Sequence, residues 1–215
     1  MQALCAVAVG LVATACSFGG GEAIDATTTT VAGPGGASGT PVGNEAVDAV
    51  LGLLEEPASE GPYTATYTLL LRLGDVASTG TVAADGSGAR SVTIGDIRFV
   101  VDADGNARTC RVSDGECEDG LLDARSSDLG FGAGFAAQVP ARRLRVAWSR
   151  RSGDPTVSTE TIAGQPATCV TVPVGEGAES YCALDAGVLA RWTAADVVVD
   201  LESFTDGAEP DLFEP

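Results

Sequence analysis

The sequence predicts an α+β fold: a curved antiparallel β-sheet, or half-barrel, with helices packed on one side and two local disulfides. Three observations lead there. One clean amphipathic helix stands at the start of the folded region. Short apolar stretches then follow one another with two-residue turn signals between them. Finally, residues 161–192, TIAGQPATCVTVPVGEGAESYCALDAGVLARW, read as three strands joined by two turns, with Cys169 and Cys182 on the first two.

The helix is predicted to begin at Asn44, a favourable N-cap. Val47, Val50, Leu51 and Leu54 fall at i, i+3, i+4 and i+7, and Glu45 and Asp48 suit the first turn electrostatically. Glu55-Glu56-Pro57 ends it. An apolar stripe of this kind packs most simply on a sheet face.

From Pro62 the pattern changes to strands. Tyr63 to Leu73 alternates and then becomes continuously apolar, and further strands follow at Thr79 to Ala84, Ser91 to Ile94 and Ile97 to Val101. Gly74-Asp75, Asp85-Gly86, Gly95-Asp96 and Asp104-Gly105 supply the turns of an antiparallel meander. Leu69-Leu70-Leu71, Phe99-Val100-Val101 and Val197-Val198-Val199 are apolar on both faces, so both faces are covered or one lines a cavity. Cys110 and Cys117 enclose the turn Ser113 to Glu116. Hairpin geometry favours local pairs, Cys110–Cys117 and Cys169–Cys182, although four cysteines allow three connectivities.

Residues 119–138 keep neither period. Leu121, Leu122, Leu129, Phe131 and Phe135 are apolar, and Gly130, Gly132 and Gly134 loosen the stretch, which reads as a helix-loop lid or a mobile flap, a flexible cover over the sheet. Arg142, Arg143, Arg145, Arg150 and Arg151 then gather much of the positive charge; the readings are internal pairing with carboxylates, or docking of phosphate headgroups or an acidic protein partner. Residues 206–215 form an acidic tail expected to fray.

Composition narrows the function. The 215 residues suit one domain with tails. A net charge of −18 disfavours binding to nucleic acid, and to anionic lipid by charge alone. His and Lys are absent, which removes Ser-His-Asp and Cys-His catalysis, Schiff-base chemistry and a P-loop. Gly130-x-Gly132-x-Gly134 lacks the spacing of a dinucleotide fingerprint, so no cofactor is expected. No metal site is expected either. Asp102-Ala103-Asp104-Gly105-Asn106 has Ala107 and Ser113 where a calcium loop needs Gly and Glu, and the cysteines lack zinc spacing. The carboxylates Asp102 and Asp104 are the one conceivable acid–base pair, and solvated turn residues are the better reading. The chain is therefore expected not to be an enzyme.

The N-terminus reads as an address. Residues 1–15 resemble a signal peptide, with an uncharged apolar run too short for the about 20 residues of a membrane span. Ala13-Thr14-Ala15-Cys16 resembles a bacterial lipobox, although Ala13 stands where that motif has Leu. No Lys or Arg precedes the apolar run, which suggests a start further upstream. The resemblance implies that Cys16 is the lipidated first residue of the mature protein, anchored to the outer face of the cell membrane. Ala13-Thr14-Ala15 is also an A-x-A cleavage site, so plain secretion is the alternative. Residues 16–43, rich in Gly, Thr and Pro, are expected to be a disordered tether, with the domain at 44–205.

TIAGQPATCVTV followed by YCALDAGVLARW resembles the later strands of actinobacterial lipoproteins with a LolA-like half-barrel, the group of LppX and LprG. That resemblance implies a membrane-anchored lipoprotein that binds or carries a lipid or other apolar ligand in a cavity between sheet and helices, lined by Leu, Val and Phe and opening near the flap around Gly130 to Phe135. Cys16 is the one position that carries over individually, and the ligand-binding residues are unknown. The alternative of the same fold is a non-catalytic protein-interaction or envelope-sensor module resembling RseB.

Overall fold

The computed structural model describes residues 39–55 and 61–214. Residues 1–15, Cys16, the greater part of the expected tether and the helix-stopping Glu56-Pro57 lie outside the described residues.

Eleven strands form one open antiparallel sheet. A first meander runs through β1 (Tyr63–Leu71), β2 (Val76–Ala84), β3 (Arg90–Ile94), β4 (Ile97–Val101), β5 (Ala107–Arg111) and β6 (Cys117–Asp119). A second runs through β7 (Thr156–Ile162), β8 (Gln165–Val174), β9 (Gly177–Leu184), β10 (Leu189–Thr193) and β11 (Val197–Asp206). β1 and β11 pair and join the two halves, giving the order β6-β5-β4-β3-β2-β1-β11-β10-β9-β8-β7. Between the meanders the chain crosses the sheet through a 3-10 helix (Asp123–Leu129) and helix α2 (Gln138–Ser149).

The register sorts the side chains. Tyr63, Ala65, Tyr67 and Leu69 share the inner face with Val82, Val92, Phe99, Tyr181, Trp192 and Val199. Most of these are buried, with helix residues, in one core. Helix α1 (Glu45–Glu55) begins as its sequence predicts: Asn44 Oδ1 accepts the Val47 N–H at 3.1 Å. Its four stripe residues are all buried, and α1 packs on β8, β9 and α2.

Both expected disulfides form between directly paired residues, Cys110–Cys117 across β5/β6 and Cys169–Cys182 across β8/β9, each with Cα atoms 4.0 Å apart. Cys182 also pairs with Arg191, which places that bridge on the outer face. There Arg191 binds both Glu160 and Asp200. The Glu160 carboxylate lies near both sulfurs, but bonded to each other they leave no thiolate to ligate a metal.

Two expectations change at the ends of the domain. The tether's last residues, from Gly39, are tied down. Gly39 N–H donates to Glu55 Oε2, Arg145 donates to the Thr40 carbonyl, and Asp48 accepts the N–H groups of Val42, Gly43 and Asn44. The acidic tail does not fray either. It forms a second 3-10 helix (Pro210–Phe213), with Arg98 donating to the carbonyls of Asp211 and Glu214 and Arg108 to that of Phe213. Arg98 and Arg108 flank Val100 on the outer face. The tail thus lies where Val100 and its partner Ser91 are buried, and it covers the second face of the Phe99-Val100-Val101 run.

Candidate functional site

Helix α2 occupies much of the arginine-rich segment, for which the sequence assigns no element. It buries a narrow stripe, Pro140, Ala141, Leu144 and Ala147, and turns its arginines outward. Three of the five are spent internally. Arg145 grips Glu55 with two hydrogen bonds of 2.8 Å. Arg143 pairs with Asp196 and lies 5.4 Å over the Trp192 ring. Arg151 stacks 3.6 Å over Trp148. Arg142 and Arg150 are exposed, and their guanidinium groups have no partner among the described residues. Arg145 holds the Glu55 carboxyl below its ordinary value, with a further contribution from the Gly39 N–H.

The flap, residues 120–137, is a fitted cover rather than a loose one. Thr109 Oγ1 donates to the Gly120 carbonyl and accepts the Leu122 N–H, which ties the flap to β5. Ser126 Oγ donates to the Phe131 carbonyl at 2.6 Å, and Asp123 Oδ1 accepts the Ala133 N–H at 2.8 Å. Gly130 closes the 3-10 helix at φ +72°, and a Cβ there would lie 2.7 Å from Leu71 Cδ2. The flap glycines at 130 and 132 thus permit close approach rather than slack.

From this cover Phe135 drives into the sheet. Its ring meets Tyr67 edge-on at 5.3 Å between centroids and Phe131 at 6.3 Å. It fits only because β2 carries Gly80 opposite: a Cβ there would come within 2.8 Å of Phe135 Cζ. Tyr67, wholly buried, donates its hydroxyl to the Leu189 carbonyl at 3.0 Å.

Two small cavities border this flap. The first, 110 Å³, lies over β1–β4 and is walled by Tyr63, Tyr67, Val82, Val92, Phe99 and Val101 below and Leu121, Ala133 and Ala136 above, with Arg90 and Gln138 also in its lining. The second, 160 Å³, is walled by Leu71, Phe131, Phe135, Val139, Trp192 and Val197, with Arg143 and Asp196 beside them. Tyr67 lines the first and Phe135 the second, so this ring pair stands between them. Each is well under the roughly 300 Å³ at which small-molecule sites begin.

The unfilled volume lies at the expected opening near Gly130 to Phe135 and not under α1. Under α1 the space is filled by the helix's own stripe, and the unfilled volume lies beneath the flap. A third hollow of 550 Å³, beside the start of α1 and β7, is open and bordered by Glu45 and Asp154.

Chemically the first cavity offers apolar walls and neutral phenols. Burial pushes the hydroxyls of Tyr63 and Tyr67 up, with the charge of Arg90 pulling that of Tyr63 partly back. Among the described residues no carboxylate lines it. Asp102, half of the one conceivable acid–base pair, spends its oxygens on the N–H groups of Asp104 and Asn106 and on the Asn106 side chain. These bonds, that of the Asn106 side chain foremost, hold its carboxyl below the usual range in an exposed turn.

No protein-family model matches the chain, and no curated protein matches it. Among solved structures it is similar to MucB in complex with MucA(peri), with a TM-score of 0.47 and 12% identity over 79% of this chain and 59% of that one. It is similar to the MucA/MucB complex of Pseudomonas aeruginosa at TM-score 0.46 and 14% identity, over 80% and 61% of the two chains. A LolA superfamily protein from Nitrosomonas europaea matches at TM-score 0.33 and 10% identity, over 79% and 97%. The chain spans about 60% of the MucB chains it matches. LolA superfamily structures are thus among its neighbours; the architecture itself is read from the strand order.

Proposed function

We propose that the chain is a non-catalytic extracytoplasmic module, anchored to the outer face of the cell membrane through Cys16, that takes a lipid or other apolar ligand between the flap and β1–β4. The narrower kinship with LppX- and LprG-like lipoproteins belongs to the same proposal. The observation that carries the ligand reading is the pair of apolar cavities kept apart by Phe135 and Tyr67. With the Phe135 ring withdrawn, the two would run together toward the size of a ligand site. The two disulfides support an oxidising compartment.

A neutral fluorescent probe, N-phenyl-1-naphthylamine, tests the reading. The protein is expected to bind it saturably. Val92→Trp, which fills the first cavity from β3, is expected to abolish binding while the melting transition remains cooperative. Absence of saturable binding to the wild-type protein, or undiminished binding to a folded Val92→Trp variant, would refute the reading.

A second reading rests on α2. Arg142, Val146 and Arg150 share one exposed face at four-residue spacing, and in a strongly acidic chain neither cation has a partner among the described residues. This face suits an acidic protein partner in a sensor-type role. Arg142→Glu with Arg150→Glu should abolish capture of such a partner without touching probe binding.

A further inference from the structure

Arginine is the only cation in this chain, and most copies are occupied by carboxylates, carbonyls or rings. The guanidinium groups of Arg72, Arg142 and Arg150 also have no partner among the described residues, but these residues are exposed. Arg90 is different. It is half-buried on the inner face of β3, with Ala84 and Val101 as its cross-strand neighbours, and it lines the first cavity. Among the described residues its guanidinium has neither an ion pair nor a hydrogen bond, and no carboxylate lines the cavity to neutralise it. A charge part-way out of water without a partner is unfavourable, so leaving it there stores an interaction for something else. In a chain of net charge −18 the long-range field repels anions, and one can be held only by a local cation.

Gln138 brings a side-chain amide to the same lining, at the start of α2, where Ala137 gives the helix no side-chain cap. We propose that the ligand of this site is a single-chain amphiphile with an anionic head, whose alkyl chain enters beneath the flap and whose carboxylate or phosphate is bound by Arg90. This rests on the apolar cavity being a ligand site. The guanidinium fork suits either oxyanion, since it offers parallel N–H donors to two oxygens.

Calorimetry with three probes of equal chain length separates the terms: dodecanoate and dodecyl phosphate below their micellar concentrations, and dodecanol below its solubility limit. The wild-type protein should bind at least one anion about tenfold or more tighter than the alcohol, a difference characteristic of a charge-assisted pair. Arg90→Gln should erase that preference while leaving dodecanol affinity within about twofold, and Arg90→Lys should retain part of it for the phosphate. The ratio of carboxylate to phosphate affinity identifies the head group. Equal binding of all three by the wild type, or an unchanged preference in Arg90→Gln, overturns the role of Arg90 and leaves the cavity standing. Binding of none overturns both the cavity reading and this one.

Discussion

Phe135→Ala separates the ligand-site reading from a plain core. Phe135 is 1% exposed, edge-on to Tyr67 at 5.3 Å, and its ring tip rests on the Gly80 backbone. Phe-to-Ala changes in cores cost about 3–5 kcal/mol, and this site should fall at the upper end because the flap, pinned by Ser126 and Asp123, cannot collapse to fill the gap. The same change should enlarge the 160 Å³ cavity that Phe135 lines and open it toward the 110 Å³ cavity lined by Tyr67. Urea unfolding without ligand should thus show a loss of about 3–5 kcal/mol, while N-phenyl-1-naphthylamine binds about tenfold or more tightly than to wild type. Phe135→Leu, with a smaller loss, keeps the comparison available if the alanine variant does not fold. A stability loss below about 1 kcal/mol, or tighter binding in neither variant, would refute the assignment of Phe135 as the partition.

Four further outcomes follow from the same geometry. Gly80→Ala sets a methyl 2.8 Å from the Phe135 ring and 3.0 Å from Leu69 Cδ1, and urea unfolding should register about 1–3 kcal/mol of overpacking. Cys117 is exposed while Cys169 and Cys182 are buried, so partial reduction and alkylation should mark Cys110 and Cys117 first. Loss of Cys169–Cys182 should then cost about 3 kcal/mol by loop entropy. The Glu55 carboxyl titrates lower in the folded protein than its ordinary 4.5, so its contribution is complete above that pH and fades as the pH falls below it. Glu55→Gln should accordingly cost about 1 kcal/mol at neutral pH, with the gap to wild type closing in acid, as urea unfolding at both pH values will show. Removing residues 208–215 should bare Val100 and Ser91, costing about 1–2 kcal/mol and speeding amide exchange in β3 to β5.

What could be read from the sequence follows from how local each signal is. The α1 stripe uses large residues at helical spacing with an Asn cap, and every part of it holds. The cysteine pairs each straddle one hairpin, so their partners were fixed by the turn between them. Helix α2 escaped because its buried stripe is Pro140, Ala141, Leu144 and Ala147, small side chains hidden behind five arginines; their spacing was the signal. β7 (TVSTETI) escaped because an edge strand exposed at every residue but the last shows no apolar alternation. Leu212 and Phe213 among acids were the sign that the tail docks. That the cavity opens near the flap was legible; its exact position was not. It depends on which part of the sheet the flap covers and on Gly80 facing Phe135 from 55 residues away, contacts that only the folded chain brings together.

Methyl NMR of the valines and leucines during addition of N-phenyl-1-naphthylamine tests the central claim most directly. Val82, Val92, Val101 and Leu121 line the first cavity, whereas Val47, Val50 and Leu54 fill the space under α1. The account predicts saturable shifts in the first set with the second unmoved. Shifts confined to the α1 stripe, or none in either set, would contradict it.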